Sequence, residues 1–131
     1  MRRMRRIGFV VVLGVLVLAL GGCNIWPYRK PVSPLVGIWI NRLGAVWTMN
    51  DDGTFDVDLT HDGKPDTRGT WSAEGDLLRL KLSPGRLVPD SCIGEGVYRF
   101  TRTGPELAFK LVHDDCKLRR TNIVLGWRMK H

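Results

Sequence analysis

The chain has 131 residues, enough for one domain of ordinary size, and its 44% hydrophobic and 25% charged residues exclude a disordered polymer. Its 20 Lys+Arg against 13 Asp+Glu give +7, but Arg2, Arg3, Arg5 and Arg6 sit in an N-terminal export signal; the remaining 16 against 13 leave +3, too mild for nucleic acid. The 15 Gly and 7 Pro suit a turn-rich all-β chain, and 131 residues less the first 22 leave 109, too few for two cores.

Met1 to Arg6 form a positive n-region, and Ile7 to Leu20 an uncharged apolar run of 14 residues. A membrane span needs about 20, so residues 1–22 read as a removable signal peptide rather than an uncleaved anchor. The run ends in Leu20-Gly21-Gly22-Cys23. This resembles the lipobox of bacterial lipoproteins: an apolar residue, two small residues that let a peptidase reach extended backbone, then the cysteine to be lipidated. The resemblance implies a lipidated (palmitate-bearing) Cys23 that anchors the chain to a membrane, each buried methylene contributing about 0.8 kcal/mol. In enteric members an Asp after the cysteine favours inner-membrane retention. Asn24 stands here, which implies the periplasmic side of the outer membrane in a Gram-negative envelope.

Residues 23–34 read as a tether, because Pro27, Pro31 and Pro34 favour extended chain. Arg29 and Lys30 suit anionic headgroups. Trp26 and Tyr28 either lie at the membrane interface or pack on the domain.

From Leu35 onward, apolar residues alternate with polar ones between turn signals, the period of half-buried strands. Strands are predicted over Leu35–Asn41, Ala45–Met49, Thr54–Thr60, Arg68–Ala73, Leu77–Leu82, Gly96–Arg102, Glu106–His113 and Asn122–Arg128. Asn50-Asp51-Asp52-Gly53 and Glu74-Gly75-Asp76 are hairpin turns. Ser83 to Gly94 is a longer loop, and Asp114 to Thr121 a connection with room for one helical turn. Eight short strands with hairpin connections predict an all-β, up-and-down antiparallel barrel over residues 35–131, preceded by the signal-peptide helix.

Three cysteines are present; with Cys23 used by lipid, Cys92 and Cys116 are left as an exported pair, which reads as a disulfide. A two-residue turn at Gly104-Pro105 sets Phe100 opposite Phe109 and Tyr98 opposite Leu111. The cysteines then fall one residue out of opposition, a slip for Gly94 or Gly96 to absorb as a bulge.

Gly37-Ile38-Trp39 in the first strand resembles the Gly-x-Trp signature of lipocalins and related calycins. In that family the Trp closes one barrel end under an Arg from near the last strand, which here implies Arg119, Arg120 or Arg128 over Trp39 by cation–π stacking. Gly69-Thr70-Trp71, Gly96-Val97-Tyr98 and Asp114-Asp115-Cys116 with Arg119 are also similar to small bacterial lipocalin-like lipoproteins. The Thr-Asp-x-Tyr motif of true lipocalins is missing.

Strand alternation turns Trp47, Phe55, Leu59, Trp71, Leu78, Leu80, Tyr98, Phe100, Phe109, Leu111 and Trp127 inward. Two functions follow. Trp47, Phe55, Trp71, Tyr98, Phe100, Phe109 and Trp127 line a pocket for a small apolar or amphipathic ligand, which requires roughly 300 Å3 of interior space. Alternatively these rings fill the barrel, and the protein is an interaction or inhibitor module that meets an envelope protein partner through its distal loops.

That distal rim collects His61, Asp62, Asp66, Asp90, His113, Asp114 and Asp115 with Lys64, Arg86, Lys117, Arg119 and Arg120. The opposite end carries Arg128, Lys130 and His131 beside the tether. The rim acids read as solvated or turn-bonding groups, so no metal site and no cofactor is predicted. No Gly-x-Ser-x-Gly elbow occurs, and the prediction is a binding protein rather than an enzyme.

Overall fold

A computed structural model describes residues 30–131, together with Gly22 and Pro27. The expectations for the signal peptide, for Cys23 and for Trp26, Tyr28 and Arg29 lie outside the described residues. Among the described residues no helix is long and apolar enough to cross a membrane.

Eight strands form a closed antiparallel barrel in which each pairs with its chain neighbour: β1 Gly37–Asn41, β2 Val46–Met49, β3 Thr54–Asp58, β4 Thr67–Glu74, β5 Leu77–Leu82, β6 Gly96–Thr103, β7 Glu106–His113 and β8 Trp127–Met129. β8 returns to pair with β1, Ile40 opposite Arg128. Alternation decides which residues go inward: on β5, Leu78 and Leu80 are buried while Arg79 and Lys81 face solvent. Turn chemistry sets the hairpins. Asp52 Oδ1 accepts from the Thr54 N–H at 2.9 Å and from its hydroxyl at 2.6 Å, fixing the β2–β3 turn. Gly104, at φ +58°, opens the two-residue β6–β7 turn, a backbone that a side chain would strain. Phe100 accordingly opposes Phe109, and Tyr98 opposes Leu111.

The structure corrects the sequence reading along the strands at three places, and at the arginine over Trp39. The β6–β7 ladder slips between Val97 and Tyr98, so the unpaired residue is Val112 on β7 rather than Gly94 or Gly96. The predicted strand Asn122–Arg128 begins as a helix: α1 spans Lys117–Ile123, and only Trp127 onward is strand. Leu59 and Leu111, expected inside, are 45% and 47% exposed. β3 ends at Asp58, before Leu59. Leu111 lies beyond the two β7 residues, Glu106 and Leu107, that pair with β8.

The barrel is filled. Trp47 sits 6.0 Å from Phe55, 5.6 Å from Phe109 and 5.2 Å from Trp127, centroid to centroid, and Phe109 meets Tyr98 at 6.4 Å. These are edge and tilted contacts of the kind that ring quadrupoles favour. Gly69 makes room for one of them. A Cβ there would reach Phe55 Cζ at 2.5 Å and the Lys81 carbonyl closer still.

At the end where the chain enters β1, Leu35 and Trp39 are fully buried and Trp39 Nε1 donates to the Leu35 carbonyl at 2.8 Å. The arginine over Trp39 is Arg102, 5.2 Å from the ring centroid, and not Arg119, Arg120 or Arg128. Arg102 is held there by the carbonyls of Gly104 and Pro34, at 3.0 and 2.7 Å. Arg128 instead pairs with Glu106 on the outer wall.

A candidate binding site at the stapled rim

The loops β1–β2, β3–β4, β5–β6 and β7–β8 gather at the opposite end by strand alternation. Two of them are joined covalently. The β5–β6 loop ends in a short 3₁₀ turn, Asp90–Cys92, and Cys116 caps the N-terminus of α1. Cys92 and Cys116 form a disulfide with Cα atoms 4.4 Å apart. The bond thus joins a turn to a helix cap, outside the hairpin ladder.

Beneath the disulfide lies a buried polar network. Arg119 donates from Nε and Nη2 to both oxygens of Asp114, each at 2.6 Å, and the two side chains are 5% and 0% exposed. The same guanidinium donates to the carbonyls of Cys92 at 3.1 Å and Gly94 at 2.9 Å. Tyr98 donates its hydroxyl to Asp114, which also accepts the Cys116 N–H at 2.8 Å. Arg120 completes the clasp by donating to the Asp114 carbonyl at 2.8 Å. Burial pushes the Asp114 carboxyl up, but the hydrogen bonds from Arg119, Tyr98 and the Cys116 amide outweigh it and hold it below its ordinary range. Tyr98 is pushed well above the usual phenol range, first by burial and then by its bond to the Asp114 charge. Gly96 admits the network, since a Cβ there would lie 2.6 Å from Asp114 Oδ2 and 2.9 Å from Arg119 Nε.

Other acids at this end serve their own turns: Asp62 Oδ1 accepts from the Lys64 amide at 2.9 Å. Asp66 Oδ2 accepts from the Leu59 and Thr60 amides, and Asp58 from those of Asp62 and Gly63. His61 donates from Nδ1 to the Gly44 carbonyl at 2.8 Å. Among the described residues no three His, Cys, Asp or Glu side chains converge as a metal site.

Between the clasped loops and the barrel core lies a cavity of about 100 Å3. Trp47, Phe55, Leu80 and Trp127 contribute from the strands, Val88 and Pro89 from the β5–β6 loop, and Leu118 and Ile123 from α1. Its mouth carries Leu59, Leu87 and Leu118, which are 45%, 66% and 60% exposed. Of the seven aromatic residues singled out from sequence, the cavity gathers Trp47, Phe55 and Trp127. Tyr98, Phe100 and Phe109 belong to the packed core, and Trp71 is half-buried against it. A larger groove of about 540 Å3 runs past Asn41, Glu106 and Arg128 along the outer wall, flanked by an exposed ion pair.

Sequence reasoning missed the Asp114–Arg119 clasp. It placed Asp114 among solvated rim acids and offered Arg119 to Trp39. The available signal was the motif set Gly96-Val97-Tyr98 and Asp114-Asp115-Cys116 with Arg119, whose members this network joins.

Compared with known proteins, the chain matches no family model, no curated protein and no solved structure.

Proposed function

We propose that the chain is a lipid-anchored binding protein of the cell envelope, a lipoprotein held by Cys23, that takes a small apolar or amphipathic molecule at its stapled rim. The observation that carries this reading is the cavity of about 100 Å3 floored by Trp47, Phe55 and Trp127. It is smaller than the roughly 300–1,000 Å3 of sites for drug-sized ligands. A roomy lipocalin-like cup is therefore set aside in favour of a compact ligand, or the compact end of a longer one, entering from the rim. The disulfide and the Asp114–Arg119 clasp hold the walls in place before the ligand arrives, which lowers the entropy lost on binding. The reading is non-enzymatic.

The exposed Leu59, Leu87 and Leu118 favour a second reading, an interaction or inhibitor module whose rim receives an envelope protein. Native mass spectrometry of the protein extracted from its host membrane separates the two. A retained small molecule supports the first reading and a protein adduct the second. A bare chain, unchanged after incubation with lipid extract and envelope lysate, contradicts both.

A further inference from the structure

Ten large hydrophobic residues are exposed among the described residues, and all but Val32 and Ile38 lie at the rim end of the barrel. Each of the four rim loops shows an exposed leucine: Leu43 between β1 and β2, Leu59 between β3 and β4, Leu87 between β5 and β6, and Leu118 on α1 between β7 and β8. Three of them directly follow an exposed base, as Arg42-Leu43, Arg86-Leu87 and Lys117-Leu118, and Lys64 shares the loop of Leu59. Among the described residues none of these four bases is in an ion pair. Of the rim acids, Asp114 is buried on Arg119, and Asp58 and Asp66 accept amides of their own loop. Asp62, Asp90 and Asp115 are exposed, none of them directly beside one of the leucines. The turns of the opposite end differ. Asp51 and Asp52 sit in the β2–β3 turn, Glu74 and Asp76 at the β4–β5 turn, and none of the three turns there shows an exposed large hydrophobic residue.

We propose that the rim docks on a lipid bilayer, its leucines entering the boundary between headgroups and acyl chains while Arg42, Lys64, Arg86 and Lys117 meet lipid phosphates. This goes beyond the ligand reading above and rests on its lipid anchor at Cys23. A single exposed leucine is ordinary on a protein surface. Here one stands on every loop of one end and none on the turns of the other. Leucine beside Lys or Arg suits an interface, because the apolar side chain leaves water while the base keeps its charge at the phosphate level. The acidic turns at the other end have the wrong sign for anionic headgroups. Reach selects the bilayer as the occupant. From Cys23 to Leu35 the chain spans at most about 40 Å, and the eight-residue β6 sets a barrel height of about 25 Å. The rim can therefore turn onto the membrane that holds the anchor, and the tether keeps lipid at a high effective concentration there. Docking would also set the cavity mouth, with Leu59, Leu87 and Leu118, against the phase in which an apolar ligand dissolves.

The test places the full-length protein, purified from membranes, singly in nanodiscs of phosphatidylethanolamine and phosphatidylglycerol that carry a nitroxide on the acyl chain. Carbon-13 methyl and nitrogen-15 amide NMR then show which residues the nitroxide reaches. The Leu43, Leu87 and Leu118 methyl signals are expected to be lost, while the Gly53, Gly75 and Gly104 amides of the opposite turns keep theirs. The variant Leu43→Gln/Leu87→Gln/Leu118→Gln changes three exposed side chains and is expected to restore the Leu59 methyl signal. The parent pattern stands by itself if the variant does not fold. Leucine signals that survive in the parent, turn amides lost in their place, or a Leu59 signal still lost in the variant overturn the docking, and the anchor stands because the chain still elutes with the discs. Leucine changes seen only when two chains share a disc assign the rim to a second copy, and those seen only after envelope lysate is added assign it to a protein. Either result overturns the proposal. A chain that elutes apart from the discs overturns docking and anchor together.

Discussion

Arg119 and Asp114 meet in a two-pronged ion pair from which water is excluded, and the pair is built across the disulfide: Cys92 offers its carbonyl to Arg119, and Cys116 its amide to Asp114. The disulfide and the Arg119 hydrogen bonds to the Cys92 and Gly94 carbonyls thus join the same two loops, and the ion pair holds Arg119 in place from within the β7–β8 connection. Removing one partner strands the other as a buried charge. Arg119→Ala is expected to lower the unfolding free energy by about 3–5 kcal/mol, whereas Asp114→Leu combined with Arg119→Met costs less than either single change. Urea unfolding of Arg119→Ala, of Asp114→Leu and Arg119→Met singly, and of the combined variant measures this.

The same carboxylate gives the fold an acid limit. The folded-state pKa of Asp114 lies below its unfolded value of 3.8, so its contribution is fully present above about pH 4 and is lost as pH falls through the folded value. Tyr98 has the opposite sign. Its folded pKa is raised, so its contribution holds below its ordinary value of 10.0 and is lost as pH climbs above it. Unfolding midpoints measured from pH 2 to pH 11 should show a plateau falling at both ends. Tyr98→Phe should flatten the alkaline fall.

Reduction of Cys92–Cys116 opens a loop with a sequence separation of 24. Loop-closure entropy puts the expected loss at about 3 kcal/mol. The Cys92→Ala/Cys116→Ala variant, unfolded in parallel with the oxidised protein, provides the value. Loss of the staple should also raise hydrogen exchange in α1 and in the Asp90–Cys92 turn before the barrel strands respond.

Gly96→Ala places a methyl group where Asp114 and Arg119 meet. The expected cost is about 1–3 kcal/mol, in the range of overpacked cores. Gly94→Ala, where a Cβ meets nothing within 4 Å, is the matched control and should unfold close to the parent.

The hairpins were legible because their signals are local. Gly104-Pro105 between two alternating runs fixes the Phe100–Phe109 register, and Leu77–Leu82 alternates without interruption. The last strand was not legible for a reason of period. Ile123, Leu125 and Trp127 fit spacing two, but Arg119 and Ile123 also fit one face of a helix, and the Cys116 cap and the buried Arg119 decide for α1. The partner of Trp39 was hidden because Arg102 is placed by two carbonyls, one of them from Pro34, a contact that no spacing rule announces. Of the aromatic residues read as interior, Trp47, Phe55, Tyr98, Phe100, Phe109 and Trp127 are buried and Trp71 is half-buried. Which of them face free space depends on how the β5–β6 loop and α1 fold over the barrel end.

The central claim is that the stapled rim is the binding face. Backbone amide shifts, recorded as the nitrogen-15-labelled protein is mixed with lipid extract and then envelope lysate from its host, test it most directly. The account requires the changes to cluster at residues 57–59, 87–92 and 118–127. Changes confined to the tether end around Leu35, Trp39 and Arg102, or to the outer groove beside Asn41, would contradict it.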